Sequence, residues 1–344
     1  METEPSHARP GARNLITDVP GLKVGQAQDP GVRSGVTVIL PDDRAVCAVD
    51  VRGGAPGTRE TDALAPENLV EAVDAVVLSG GSVYGLAAAD GVAAWLGARG
   101  RGYGMSDMPG VPVSPVVPAA ILFDLANGGD KAWGETPPYR ALGMAAVAQA
   151  AEAFDLGTAG AGCGARAGSL KGGIGSASII AGDGIAVGAI VAVNSFGAVT
   201  APGGRTFWAA PFEIGAEFGG LGSAGLAAEP EDWGLAKAAG DTRNTTIACV
   251  ATDVALTPPQ ARRVAIMAQA GLARAIRPVH APFDGDVVFA ISTARRPMLA
   301  DADYTVARLG SLAADCLARA VARAVFEARP WPGAEIACWR DLSA

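Results

Sequence analysis

Histidine is nearly missing from this chain: of 344 residues, only His7 and His280 are histidine. An imidazole-rich metal site is excluded by that count, and any Ser-His-Asp or Cys-His arrangement would have to rest on His280. A hydrolase of this composition takes its base from elsewhere, and His280 reads as a structural or pocket-wall residue. The five cysteines, Cys47, Cys163, Cys249, Cys316 and Cys338, are odd in number and scattered. With no C-x-x-C pair they suggest neither a disulfide frame nor a zinc site, and most read as small core residues. Positive charge is also short, with Lys+Arg 27 against Asp+Glu 35 and a formal net charge of −8. That balance argues against nucleic acid or an anionic membrane as partner and favours a small-molecule or peptide substrate. The chain has no run of ~20 strongly apolar residues, and "METEPSHARPGARN" lacks the basic-then-apolar pattern of a signal peptide. The expectation is a soluble cytoplasmic protein that requires no cofactor and no metal.

What is present is a mixed α/β pattern. Short β-rich runs, "VTVIL" at 36–40, "AVCAVDV" at 45–51 and "DAVVLSG" at 74–80, precede an Ala-rich helical stretch from Ser82 to Ala98. A Gly/Pro segment leads into "AAILFDL", and a second helix is expected over "RALGMAAVAQAAEAF", residues 140–154. The glycine-dense "GTAGAGCGARAG" follows as a flexible loop. "SASIIAGD" and "IAVGAIVAVN" read as a hairpin about Gly182-Asp183-Gly184, because a D-G pair between apolar runs is a strong turn signal. Residues 198–240, rich in Gly, Ala and Pro, read as a long surface connection. Beyond it, "TTIACVATDVAL" and "DVVFAISTA" read as central strands. A helix starting at Thr257-Pro258 joins them, with a good N-cap and Pro at its first position. A last helix is expected after Asp303.

Two motifs need weighing. "GAGCGA", residues 160–165, matches G-x-G-x-x-A, but a helix pattern precedes it where the dinucleotide fingerprint requires a strand. Asn244-Thr245-Thr246 fits the glycosylation acceptor pattern, which has no chemistry behind it without a secretory signal. Two threonines at the mouth of a buried run can simply be the start of a strand. The sharper reading is that Thr245 becomes an N-terminal nucleophile by self-cleavage, its freed α-amine serving as base. Such an amine titrates near ~7.7 to 8 and stands beside the Oγ of the same residue, which answers the shortage of histidine.

"RNTTIACVATD" followed by a helix and "RAIRPVHAPFDGDVVFAIST" resembles the L-aminopeptidase/D-esterase family of self-processing N-terminal-nucleophile peptidases. The Asn-Thr-Thr junction looks like its branch of 6-aminohexanoate (nylon) oligomer hydrolases. "LITDVPGLKVG", "VDVRGGAPGTRETD", "LSGGSVYGL", "VPAAILFDL" and "VAVNSFG" extend the likeness over almost the whole chain from Leu15. The resemblance implies a four-layer αββα sandwich, shared with ornithine acetyltransferases, in a single catalytic domain over 1–344. It also implies cleavage between Asn244 and Thr245 into an α chain, 1–244, and a β chain, 245–344, that stay together. Position by position it makes Thr245 the nucleophile and Asn194 the amide that stabilises the oxyanion. Lys171 would assist activation of the threonine, Asp284 and Asp286 would hold the lysine and the new amine, and Tyr84 would complete the pocket as a donor.

Each residue also has a plain role open to it. Asn194 can cap a turn, Lys171 can be an exposed loop charge, the aspartates can form the turn before "VVFAIST", and Tyr84 can be a packing aromatic. Many members of the family carry serine where Thr245 stands, so the substrate stays open among peptides, amides, esters and linear oligoamides. The expected activity is amide hydrolysis through an acyl-enzyme, in a homo-oligomer. The rivals are an acyltransferase of the ornithine acetyltransferase type and a non-cleaving oligomeric binding protein.

Overall fold

The computed structural model describes residues 7–104, 108–238, 244–333 and 336–342. Its early strands are β1 (Leu22–Asp29), β2 (Ser34–Pro41), β3 (Ala45–Val51), β4 (Thr58–Arg59), β5 (Ala72–Val73), β6 (Val76–Ser79) and β7 (Ala119–Ile121). Later come β8 (Arg166–Ala167), β9 (Leu170–Lys171), β10 (Gly173–Ile180), β11 (Ala186–Asn194), β12 (Thr245–Val254) and β13 (Val287–Arg296). The α-helices among the described residues are α1 (Ala87–Gly97), α2 (Tyr139–Ala148), α3 (Pro258–Ala275) and α4 (Ala302–Phe326). None of them is long and apolar enough to cross a membrane.

Two sheets face each other. One has the order β1-β2-β6-β7-β4 and the other β10-β11-β12-β13-β3-β5. Three apolar cores separate four layers. Val38, Val77, Ala88, Val92 and Tyr139 lie between α1/α2 and the five-stranded sheet. Ile39, Leu78, Ile190, Cys249 and Phe289 lie between the sheets, and Val191, Val250, Val264 and Leu317 lie between the six-stranded sheet and α3/α4. The architecture is therefore αββα.

This layering explains why the central strands read as unbroken apolar runs. Along β12, Ile247, Cys249 and Ala251 enter the core between the sheets while Ala248 and Val250 enter the core beneath the helices. A strand wetted on neither face has no use for alternating polar residues. The hairpin forms as expected, with β10 and β11 antiparallel about a turn in which Gly184 takes φ +83°, a conformation that favours glycine. Helix α3 starts where Thr257-Pro258 places it, the Thr257 N–H donating to Gln260 Oε1 at 2.9 Å. Helix α4 is capped by Asp301, whose carboxylate accepts from the Tyr304 N–H at 3.0 Å. All five cysteines are free and buried.

Four expectations are corrected. The stretch expected as helix from Ser82 starts as a 3-10 turn over Ser82–Leu86 and becomes α-helical at Ala87. The second helix stops at Ala148 rather than 154, because Ala151 leaves to bridge Val24, accepting its N–H at 2.9 Å and donating back at 3.1 Å. The backbone pairing outweighs the helix preference of the alanines. The glycine-dense loop is not a loose surface segment: Gly160–Gly162 form a buried 3-10 turn. The connection over 198–240 is not wholly on the surface, since Val199, Phe207 and Phe218 are buried and Phe207 stacks on Trp339 at 5.3 Å. Residues 239–240 of that connection lie outside the described residues.

Candidate active site

The end of β12 assembles the site. Asn194, the last residue of β11, is the register partner of Thr245, the first of β12. On the other side β13 runs parallel to β12, and Asn244 bridges Asp284 just ahead of that pairing. Asn244 and Thr245 are 2% and 4% exposed, so the junction between them is held away from bulk water. The Thr245 hydroxyl donates to the carbonyl oxygen of Asn244, and the Gly285 N–H donates to the same oxygen at 3.1 Å. The peptide bond ahead of Thr245 thus carries a hydroxyl beside its carbonyl and a backbone donor polarising it. Gly285 must be glycine, because a Cβ there would stand 2.8 Å from Thr245 Oγ1 and 2.7 Å from the Ala55 carbonyl oxygen.

Both aspartates of "FDGD" are buried here. Asp286 Oδ1 accepts the Thr246 N–H at 2.8 Å, and its Oδ2 lies 2.8 Å from His280 Nδ1 and accepts the His280 N–H at 3.2 Å. His280 is thereby anchored to Asp286 through both its ring and its backbone. Asp284 accepts the N–H groups of Ala281 at 3.0 Å and Phe196 at 3.3 Å. Burial, then the neighbouring Asp286 carboxylate, pushes Asp284 up to about 6, against these donors and the Lys237 ammonium.

Asn194 is fixed by two backbone groups: its Oδ1 accepts the Arg166 N–H at 2.9 Å and its Nδ2 donates to the Phe123 carbonyl at 3.0 Å. The accepted N–H determines which way the amide points. A primary amide has a second N–H, which is the donor it can offer to a reacting carbonyl. Asn194 lines a cavity of about 30 Å³ with Asp124, Arg166 and Lys237. Lys237 was not singled out by the sequence. It is 8% exposed, and its ammonium donates to Asn244 Oδ1 at 2.5 Å and to the Asn194 carbonyl at 3.5 Å. The one available signal is scarcity, since it is one of four lysines in the chain and the only one in the Gly/Ala-rich connection.

Two expected residues make their contacts with other groups. Lys171 is fully buried, and its ammonium donates to the carbonyls of Gly162 (3.1 Å), Ala165 (3.0 Å) and Gly172 (2.6 Å). It also lies 4.9 Å from the Trp331 ring centre. Burial lowers its pKa to about 8. These contacts use all three of its donors, so it makes no hydrogen bond to Thr245 or to either aspartate. The glycine-dense loop supplies two of the carbonyls, which gives "GAGCGA" a role in solvating a lysine. Tyr84 is 47% exposed and sits edge-on to Trp133 at 5.8 Å, its hydroxyl making no hydrogen bond among the described residues. The structure thus brings together Asn244, Thr245, Asn194, Asp284 and Asp286, adds Lys237 and Gly285, and joins neither Lys171 nor Tyr84 to them.

Residues 14–337 match the model of peptidase family S58. An uncharacterised aminopeptidase of Mycobacterium tuberculosis is 44% identical over 96% of this chain and 98% of its own length. A 6-aminohexanoate-oligomer endohydrolase of Kocuria sp. is 30% identical over 82% of this chain and 76% of its own. Among solved structures, the L-aminopeptidase D-Ala-esterase/amidase of Ochrobactrum anthropi, described as a variant of the Ntn hydrolase fold, superposes with a TM-score of 0.67. Its identity is 23%, with 96% of this chain and 90% of that one covered. A Burkholderia sp. beta-aminopeptidase gives a TM-score of 0.69 at 22% identity, covering 94% and 90%. At such identities the likeness is one of fold.

Proposed function

The chain belongs to peptidase family S58 and is a hydrolase of peptide or amide bonds; on that premise we propose that Thr245 is its nucleophile, released by cleavage of the Asn244–Thr245 bond. The observation that carries this reading is the junction itself, where the Thr245 hydroxyl and the Gly285 N–H converge on the Asn244 carbonyl oxygen. Oγ attacks the Asn244 carbonyl carbon, the C–N bond breaks as the acyl group moves from nitrogen to oxygen, and water hydrolyses the ester. Thr245 is left with a free α-amine and the two chains remain packed through the paired strands.

In turnover the α-amine takes the hydroxyl proton as Oγ attacks the substrate carbonyl. The second N–H of Asn194 faces the developing oxyanion, a contribution of ~3 to 4 kcal/mol for such donors. The departing amine takes the proton, and water then releases the acyl group. Asp286 holds the Thr246 backbone, and with it the new N-terminus, in place. Asp284 pairs through its backbone with Asn244, and its carboxylate accepts the Phe196 and Ala281 N–H groups beside the junction. Lys171 and Tyr84 enter this mechanism on the family resemblance alone. The substrates are the N-terminal residues of short peptides, simple amides, or linear oligoamides, the last supported by the relationship to the oligomer endohydrolase.

Intact mass and N-terminal sequencing under denaturing conditions test the premise of the mechanism. The expected result is a fragment of ~10 kDa beginning Thr-Thr-Ile-Ala, the mass following from 100 residues. Thr245→Ala is expected to remain a single 34.4 kDa chain without turnover, and a variant that still splits at this bond would remove Thr245 from the chemistry.

A further inference from the structure

Arg166 occupies the ground between Asn194 and open solvent. Its backbone holds the Asn194 side chain, and its own side chain lines both the small cavity beside Asn194 and a larger one of about 360 Å³. That larger volume falls in the range of small-ligand sites. Among the described residues the Arg166 guanidinium has neither a hydrogen-bond partner nor an ion pair, and its Nε is buried without a partner. Arg166 is half-buried with its Nε enclosed and unpartnered, which leaves the rest of its planar fork free to match a carboxylate.

The rest of the larger cavity has the same sign. Arg33 lines it, with Nη1 donating to the Asn127 carbonyl at 2.9 Å and its guanidinium 5.2 Å from the Trp331 ring centre. Trp331 lines it as well and has the Lys171 ammonium 4.9 Å from its ring centre. No acidic residue is among the described residues that line this cavity. The acid bordering the small cavity, Asp124, is 3% exposed, and its Oδ1 accepts the Gly81 N–H at 2.7 Å. A protein of net charge −8 thus presents a cationic groove leading to the amide of Asn194.

We propose that this groove is a carboxylate subsite: Arg166, backed by Arg33, binds a free carboxylate carried by the substrate close to the bond being cleaved. The subsite rests on the reading of Thr245 and Asn194 as the reacting centre, and it selects short free-acid peptides or oligoamides over their neutral, amidated counterparts. Arg166 acts here as a specificity residue that touches substrate through its guanidinium, while its backbone N–H positions Asn194 whatever the side chain.

Equilibrium binding separates this proposal from the catalytic one. N-acetylglycine and N-acetylglycinamide, which differ in the carboxylate, are titrated into the purified wild-type protein by calorimetry. The acid is expected to bind at least about 10-fold tighter, as a charge-assisted bidentate pair allows. Arg166→Gln is expected to erase the difference and Arg166→Lys to restore part of it. In turnover, Arg166→Gln raises KM for a free-acid dipeptide by a larger factor than KM for its amide. Equal binding of acid and amide to the wild-type protein overturns the subsite without recourse to a variant, as does a preference for the acid that survives Arg166→Gln. Failure of the Thr245 reading shows instead as an uncut chain in the mass measurement, and the binding comparison remains readable.

Discussion

Two of the four lysines are buried, and they are buried for different reasons. Lys171 sits in a motif that the family resemblance flags, yet its ammonium is enclosed by three backbone carbonyls and an aromatic ring. Lys237 sits in a low-information stretch of glycine and alanine, yet its ammonium rests on the side chain of Asn244, at the junction itself. The first arrangement replaces water around a charge; the second places a charge beside a bond. Motif membership and proximity to the chemistry are therefore separate properties, and in the uncut chain they fall on different residues.

The largest effect expected from this contrast is on stability, at Lys171. Its folded pKa of about 8 lies below its unfolded value, so from pH ~8 to ~10.5 the unfolded chain retains a proton that the folded chain has released. Stability from this group rises with pH across that window and is lost as pH falls through 8. Relative to Lys171→Met, the uncut Thr245→Ala protein is expected to gain about 3 kcal/mol between pH 7 and 10.5 in denaturant titrations. A flat difference would mean that the ammonium is better solvated than its carbonyl cage suggests.

The next effect is kinetic and belongs to Lys237. Losing a charge-assisted hydrogen bond of about 1.5–3 kcal/mol should slow self-cleavage of Lys237→Met roughly 10- to 100-fold, with Lys237→Arg retaining part of the rate. The acid limb of the cleavage pH profile should also move upward, because Asp284 loses a cation that holds its pKa down. Gel time courses of precursor and fragments read both. Should Lys171→Met slow cleavage as much at matched stability, the division between the two lysines breaks and the role implied by the family resemblance is restored. The smallest effect is at Trp331, whose indole N–H donates to the Cys163 carbonyl at 2.6 Å. Trp331→Phe loses that bond and weakens the ring's hold on Lys171, so a loss of about 1 kcal/mol is expected in thermal unfolding.

Legibility followed the range of the interactions. The turn at Gly184, the start of α3 and the double-faced run of β12 depend on neighbours a few residues away, and all three were readable. The early end of α2 and the burial of Phe207 and Phe218 depend on Val24 and Trp339, far off in the chain, and were not. In the site, Thr245 stood out by pattern, and Asn194 and the pair Asp284/Asp286 through the family resemblance. Gly285, between them, was not singled out, because only the approach of β12 shows that its missing Cβ makes room for Thr245 Oγ1. Arg166 carries no local signature, and Lys237 has only its scarcity in the Gly/Ala-rich connection.

By itself the sequence determined the chemistry available: almost no imidazole, a hydroxyl at the head of a buried strand, a membership in peptidase family S58, and enough apolar periodicity for a layered α/β protein. Tertiary structure decided which groups meet. A strand register is a relation between two segments, and only the pairing of β11 with β12 sets Asn194 opposite Thr245. Burial is likewise collective. The same ammonium group becomes a caged charge at Lys171 and a partner of the junction at Lys237, because the surrounding backbone, not the lysine, determines what replaces its water.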